Sequence, residues 1–176
     1  RDKRLKWCCG LKNGIRIVEP NERLAQTYLS EARGSLERAE KNFNDGDLLW
    51  TTVVIYYAEY YALYSFLQRI GIKCENHFCS ILAVSFLLGE EKTEAINLHK
   101  DKRIDAQYYM RVDNEDKVGD MLQEAKMFVS MFDELVLNLS KNDVSNFREK
   151  IFNIKGQNEP ITPPPGKLQI LDNPIN

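Results

Sequence analysis

The stretch from Leu48 to Ile70 constrains this chain more than any other. It is apolar around almost its whole circumference. Trp50, Val53, Val54, Tyr57, Tyr61 and Tyr64 share one helical face, and Leu49, Tyr56, Tyr60, Leu63 and Leu67 widen it far beyond a single stripe. A helix of this kind hides either in a bilayer or inside a protein. The bilayer is disfavoured because Glu59 sits mid-segment among Tyr56, Tyr57, Tyr60, Tyr61 and Tyr64, whereas a span places Leu and Ile at its centre and aromatics at the interfaces. The segment is therefore read as the central helix of a bundle with no membrane role. It needs partners on more than one side, and a subunit interface is expected to supply some of them, which predicts a homodimer.

The flanking segments fit that frame. The first nineteen residues are mixed, with turn signals at Gly10 and Asn13-Gly14, and read as an N-terminal arm with Ile15 to Val18 extended. Pro20 suits the first turn of a helix. Leu24, Tyr28, Ala32, Leu36, Ala39 and Phe43 then recur at three and four. Asn44 to Asp47 ends that helix and caps the long apolar one, which Gly71 closes. A third helix starts at Glu75 or Asn76 and stops at Gly89. A fourth runs from about Lys92 to Val112 with a poorly resolved pattern: Ile96, Ala106 and Met110 on one side, Ile104 and Tyr108 on another. Asp113 or Asn114 caps a fifth, whose Val118, Met121, Leu122, Ala125, Phe128, Val129, Phe132, Leu135, Val136 and Leu139 keep a near-heptad register. A short sixth covers Asp143 to Ile154. The fold class is thus all-α, an up-and-down antiparallel bundle of five to six helices over residues 20–155. Residues 1–19 form the arm, and residues 156–176 form a tail that Pro160, Pro163, Pro164, Pro165 and Pro174 keep non-helical.

Composition narrows the function classes only slightly. A formal net charge of -2 shows no basic excess of the kind that marks a nucleic-acid binder, although a local basic patch is compatible with it. Cys8, Cys9, Cys74 and Cys79 are read as free thiols in a reducing, cytoplasmic compartment, because a chain of this length does not need a disulfide scaffold. The basic start from Arg1 to Lys6 leads only into a short apolar patch, unlike a secretory signal. Cys74, His77 and Cys79, joined by Cys8 and Cys9, would supply a tetrahedral zinc set, but their spacing matches no standard zinc module. No metal and no cofactor is expected.

One ordered set of motifs carries a family resemblance. Tyr56-Tyr57-Ala58-Glu59-Tyr60-Tyr61-Ala62 is followed by Gly71-Ile72-Lys73 and Asn76-His77. Arg103-Ile104-Asp105-Ala106-Gln107-Tyr108-Tyr109 comes next, and then the long helix with Ala125 and Phe128. From Pro20 to Leu139 the chain resembles the HEPN family, specifically its small prokaryotic members. The resemblance implies a dimeric helical bundle that is often encoded beside a minimal nucleotidyltransferase, sometimes as a toxin–antitoxin pair. Active members are metal-independent ribonucleases whose motif is an Arg, four to six residues, then a His at the dimer groove. Here the positions after Arg103 hold Tyr108, Tyr109 and Met110, and no His follows His99. The chain looks like the branches with an Arg-x-x-Ala-x-Tyr pattern. A Tyr that partner nucleotidyltransferases modify in some relatives corresponds to Met110.

Metal-free RNA cleavage needs a general base, an acid and charge stabilisation at the phosphate. Tyr, with an ordinary pKa of about 10, substitutes poorly for His. His99, four residues before Arg103, would share its helix face; the alternative is an exposed polar pair on a charged turn. His77 is either a ligand or acid–base group, or a helix cap. The sequence reading is a non-nucleolytic HEPN protein that binds a nucleotidyltransferase partner, a nucleotide or RNA through Arg103, Tyr108, Tyr109 and His77. Its rivals are a metal-independent endoribonuclease using Arg103 with a displaced His99 or His77, and a plain interaction scaffold. Glu59, buried among tyrosines, is expected to find a tyrosine hydroxyl or Arg103 as its partner.

Overall fold

The computed structural model describes residues 2–156; the proline-rich tail from 157 onward lies outside the described residues. The elements, in chain order, are α1 (Asp2–Gly10), β1 (Arg16–Ile17), α2 (Glu22–Asn44), α3 (Leu48–Arg69), β2 (Ile72–Lys73), α4 (His77–Leu88), a 3-10 turn (Glu90–Lys92), α5 (Glu94–Tyr109), α6 (Glu115–Asn138) and α7 (Lys141–Lys155). The described residues thus hold seven α-helices, one more than the upper expectation, because the arm is itself largely helical. Among them no helix is long and apolar enough to cross a membrane.

Helix α3 is enclosed by its own chain. It packs against α2, α6, α5 and α4, and Tyr56, Phe66, Leu63 and Leu67 are fully buried. Each such side chain contributes on the order of 1.5–3 kcal/mol by leaving water. Of its large apolar residues only Trp50 is exposed. The surplus apolar perimeter that suggested a subunit interface is therefore covered by the other helices, and α3 by itself gives no argument for a dimer.

Helices α2, α3, α4, α6 and α7 each start where a side chain satisfies an orphan N–H, whereas α5 begins after Thr93 without a side-chain cap. Asn21, Asp47, Asn76 and Asn114 accept from the backbone N–H three residues on. Ser140 and Asp143 form a reciprocal capping box on α7. The α6 stripe is the one the heptad register predicts, from Val118 to Val136. On α2 the expected Ala32 and Ala39 are buried and Tyr28, Leu36 and Phe43 pack partly buried against the core, but Ala25 and Leu29 face inward while Leu24 is exposed.

The arm departs most from expectation. Residues 2–10 are helical, and Leu5 and Cys8 are fully buried. Beyond a tight turn, Ile15 to Val18 is extended as expected, but its partner Ile72–Lys73 was not legible as a strand. Arg16 pairs with Lys73 and Ile17 with Ile72, antiparallel. One guanidinium nitrogen of Arg148 on α7 donates to the carbonyls of Val18, Ile70 and Gly71 at 2.6, 3.1 and 3.2 Å, tying the ribbon to the end of α3. Gly71 has a φ of 71°, and a Cβ there would collide with that nitrogen and with the Val18 carbonyl.

The cysteines also differ from the reading as free thiols. Cys8 and Cys79 are joined by a disulfide across 71 positions, with Cα atoms 5.6 Å apart, leaving only Cys9 and Cys74 free. The N-terminal turn brings α1 back onto the first turn of α4, a proximity invisible in linear spacing. The bond also removes two of the five side chains that a zinc set would have needed. Among the described residues no group of three or more His, Cys, Asp or Glu is placed to hold a metal ion.

Candidate functional site: a buried cationic and aromatic cluster

Helix α5 shows why its pattern reads badly as a sequence. Its buried residues are Ile96, His99, Lys100, Arg103 and Ala106, a regular three-and-four stripe in which three of five members are ionisable. These side chains point into the bundle, against α3 and the start of α4.

His99 is not an exposed polar neighbour of Arg103. It is fully buried, and its Nδ1 is 2.8 Å from Oε1 of Glu59, which is also fully buried. On the other side Nε2 lies 3.1 Å from Oε2 of Glu124 on α6, an ion-pair distance. The partner of Glu59 is thus His99, rather than a tyrosine or Arg103. Burial, the largest influence, pushes the Glu59 carboxyl above its ordinary range, and His99 offsets part of that rise. For His99 burial pulls down, but Glu59 and Glu124 together outweigh it and leave the imidazole raised. The arrangement shares a proton within a carboxylate–imidazole pair, and nothing about it leaves His99 open to a substrate.

Arg103 lies one turn further along α5 and is only 4% exposed. Its guanidinium stacks over Tyr56 at 4.9 Å and Tyr57 at 6.0 Å from the ring centroids. One terminal nitrogen donates to the Gln107 side-chain carbonyl at 3.3 Å, while Nε is buried without a partner. Lys100, 6% exposed, holds its ammonium 5.6 Å from the Phe78 ring centroid. Among the described residues no carboxylate pairs with either cation. Buried charges are ordinarily paired, so two adjacent unpaired ones mark a place that favours an anion.

His77 completes the cluster. It is the first residue of α4, directly after the Asn76 cap, where helix N–H groups favour negative charge. Asn76, rather than His77, performs the capping. The His77 ring stacks on Tyr60 at 3.8 Å, and its Nδ1 is 2.7 Å from the Tyr56 hydroxyl. Burial first, and then the charges of Arg103 and Lys100, depress its pKa to about 4. At neutral pH the ring is therefore uncharged and the Tyr56 hydroxyl is the natural donor to Nδ1. Arg103 and Lys100 thus add a positive potential at His77 to the effect of burial.

The remaining candidates lie elsewhere. Tyr108 and Tyr109 are exposed at the end of α5, and Met110 closes it with a φ of 53°. Arg103 faces inward and Tyr108, five residues on, faces out, so the two do not form one groove within the chain. A cleft of about 600 Å³ lies beyond Phe78, lined also by Ile81, Leu82 and Asn97, but among the described residues its lining carries Glu90, Glu91 and Glu94 against the single cation Arg4, a balance that disfavours anions. Lys100 escaped the sequence reading. Treating α5 as a helix with a polar buried stripe would have found it, since positions 96, 99, 100, 103 and 106 keep the helical period.

No curated protein and no solved structure matches this chain. A family model does: that of the HEPN domain, over residues 25–135, which takes in α3, α4, α5 and most of α2 and α6. The helical bundle, the motif order and this match agree, and the chain belongs to the HEPN domain family.

Proposed function

We propose that the chain is a non-nucleolytic HEPN protein that binds a phosphate-bearing ligand, a nucleotide or RNA, at Arg103, Lys100 and His77. The observation that carries this reading is the pair of nearly buried cations without a carboxylate. A guanidinium can fork onto a phosphate, an ammonium adds a point charge, and the partly buried Tyr57 ring offers a face for a base. The His that family nucleases carry after their Arg is absent, and His99 is sequestered by Glu59, so binding outlasts turnover. A second copy of the chain is the expected partner. It would cover the exposed end of α5, where Tyr108, Tyr109 and Met110 lie level with Trp50 in the antiparallel α3–α5 register. A minimal nucleotidyltransferase is the proposed heterologous partner, in a toxin–antitoxin-like module.

The test is a pair of titrations, with ATP and with a labelled oligoribonucleotide, on the native chain, Arg103→Ala and Lys100→Ala. Loss of a charge-assisted contact weakens binding roughly tenfold or more in each variant. Absence of binding to both ligands, or equal binding by the variants, refutes the site. Light scattering that finds a monomer at micromolar concentration refutes the dimer.

One alternative has an observation in its favour. His77 is neutral at pH 7 and adjoins the charges of Arg103 and Lys100, so a bound phosphate that offsets those charges would raise it from about 4 toward the range where it accepts a proton. If the native chain cuts RNA without metal and loses the activity in His77→Ala but not in a folded His99 variant, a displaced-His ribonuclease replaces the binding protein.

A further inference from the structure

Helix α1 lies outside the part of the chain that matches the family, yet a covalent bond fastens it to the helix that begins at His77. Cys79 sits in the first turn of α4, two residues after His77, and its N–H is held by the Asn76 side chain. Beside it the Trp7 ring meets Phe78 edge-on at 6.5 Å, and Phe78 carries Lys100 over its face. The bond and the ring contact together press α1 onto the turn that positions His77.

We infer that the Cys8–Cys79 bond is a reversible thiol–disulfide site, opened by an external dithiol, whose reduction releases α1 and loosens the first turn of α4 around His77. Three features carry this. First, α1 is nine residues long, below the length at which a helix holds itself together, so its order depends on tethering and on a few buried contacts. Among its described residues only Leu5 and Cys8 are fully buried, with Trp7 and Cys9 packed partly buried against the core. Second, both bonded sulfurs belong to fully buried residues, so a reductant reaches them when α1 lifts, a local opening rather than global unfolding. Third, of the two free thiols Cys74 is buried and Cys9 half-buried, and burial raises both above the ordinary thiol range, so they stay protonated at neutral pH. They therefore do not attack the bond, and it waits for an outside thiolate.

The chemistry balances with a dithiol as co-reactant. Its first thiolate attacks one sulfur of the pair and forms a mixed disulfide, and the other protein sulfur leaves as a thiolate and takes a proton. The second thiol of the reductant then displaces the remaining protein sulfur and closes a cyclic disulfide. Two protein thiols form, and the dithiol is oxidised by the same two electrons.

The test uses the full chain, prepared in air and then treated with dithiothreitol, beside Cys8→Ser and, as a control, Cys9→Ser. Alkylation after denaturation is expected to modify two cysteines before reduction and four after it. Hydrogen exchange is read in both states. Reduction, or Cys8→Ser, is expected to speed exchange about tenfold or more in residues 2–17 and 76–80, with α2, α3 and α6 unchanged. Cys9→Ser should exchange like the native chain in both states, with one cysteine alkylated before reduction and three after it. Four alkylatable cysteines before reduction, unchanged exchange after it, or melting of the whole bundle on reduction would each overturn the inference. None of these readouts involves a nucleotide or RNA, so they stand apart from the binding titrations.

Discussion

Replacing His99 by Leu isolates the most consequential polar interaction in the core. Glu59 is fully buried, its Oε1 is held by His99 at 2.8 Å, and its Oε2 has no partner. Removing one member of a buried pair typically costs ~3–5 kcal/mol, because the other charge is left stranded. Here the stranded group has an escape, since Glu59 can take up a proton. From an ordinary pKa of 4.5 that protonation costs about 3 kcal/mol at pH 7 and under about 1 kcal/mol at pH 5. The sign follows from the shifts. Both Glu59 and His99 are raised in the folded chain, so folding takes up protons and their joint contribution favours the fold most on the acid side. That contribution declines as pH climbs from the ordinary carboxyl range through 6.5 and beyond. His99→Leu should therefore lose about 3 kcal/mol in urea unfolding at pH 7, and the deficit should shrink toward pH 5. Glu59→Leu combined with His99→Leu should recover most of the loss, because no stranded carboxylate remains. A loss under about 1 kcal/mol at pH 7, a deficit that does not shrink at pH 5, or a double variant no better than the single one would refute this reasoning.

Two further outcomes follow from neighbouring geometry. Gly71→Ala should destabilise by at least ~2 kcal/mol in thermal or urea unfolding, because the left-handed backbone strain adds to collisions with Arg148 and the Val18 carbonyl. Gly46→Ala, with a φ of 79° but open space around it, should cost only the strain of about 1 kcal/mol, so equal losses at the two sites would refute the clamp. The His77 imidazole should titrate near pH 4 by NMR, and its depressed value means stability from this group is lost as pH falls from 6.5 toward 4. Saturating phosphate ligand should shift that midpoint upward, and an unshifted midpoint would count against an anion beside Arg103 and Lys100.

How much of this was legible follows from what each residue reports. Apolar periodicity is a local signal, and it located α3, α6 and the caps at Asp47, Asn76 and Asn114 closely. It failed on α5 because an inward helical face was assumed to be apolar, while His99, Lys100 and Arg103 are inward and ionisable. It failed on α1 because nine residues carry too little periodic signal to mark a helix that only tertiary contacts and a disulfide hold in place. On α2 it found Ala32 and Ala39 but turned Leu24 inward, because Leu24 and Ala25 are both apolar and only packing chose between them.

The sequence by itself determined the fold class, the family and the absence of a His at the nuclease position, since each depends on the identity and order of residues along the chain. Only the tertiary structure decided which side chains meet. Glu59 and His99 are 40 positions apart, Cys8 and Cys79 are 71 apart, and His77 reaches Arg103 through two helices that cross the same stretch of α3. The physical reason is that pairing of buried charges and thiols is set by desolvation and by distance in space. An α-helix advances only 1.5 Å per residue, so the bundle can fold remote positions into one site while leaving near neighbours such as Arg103 and Tyr108 on opposite faces.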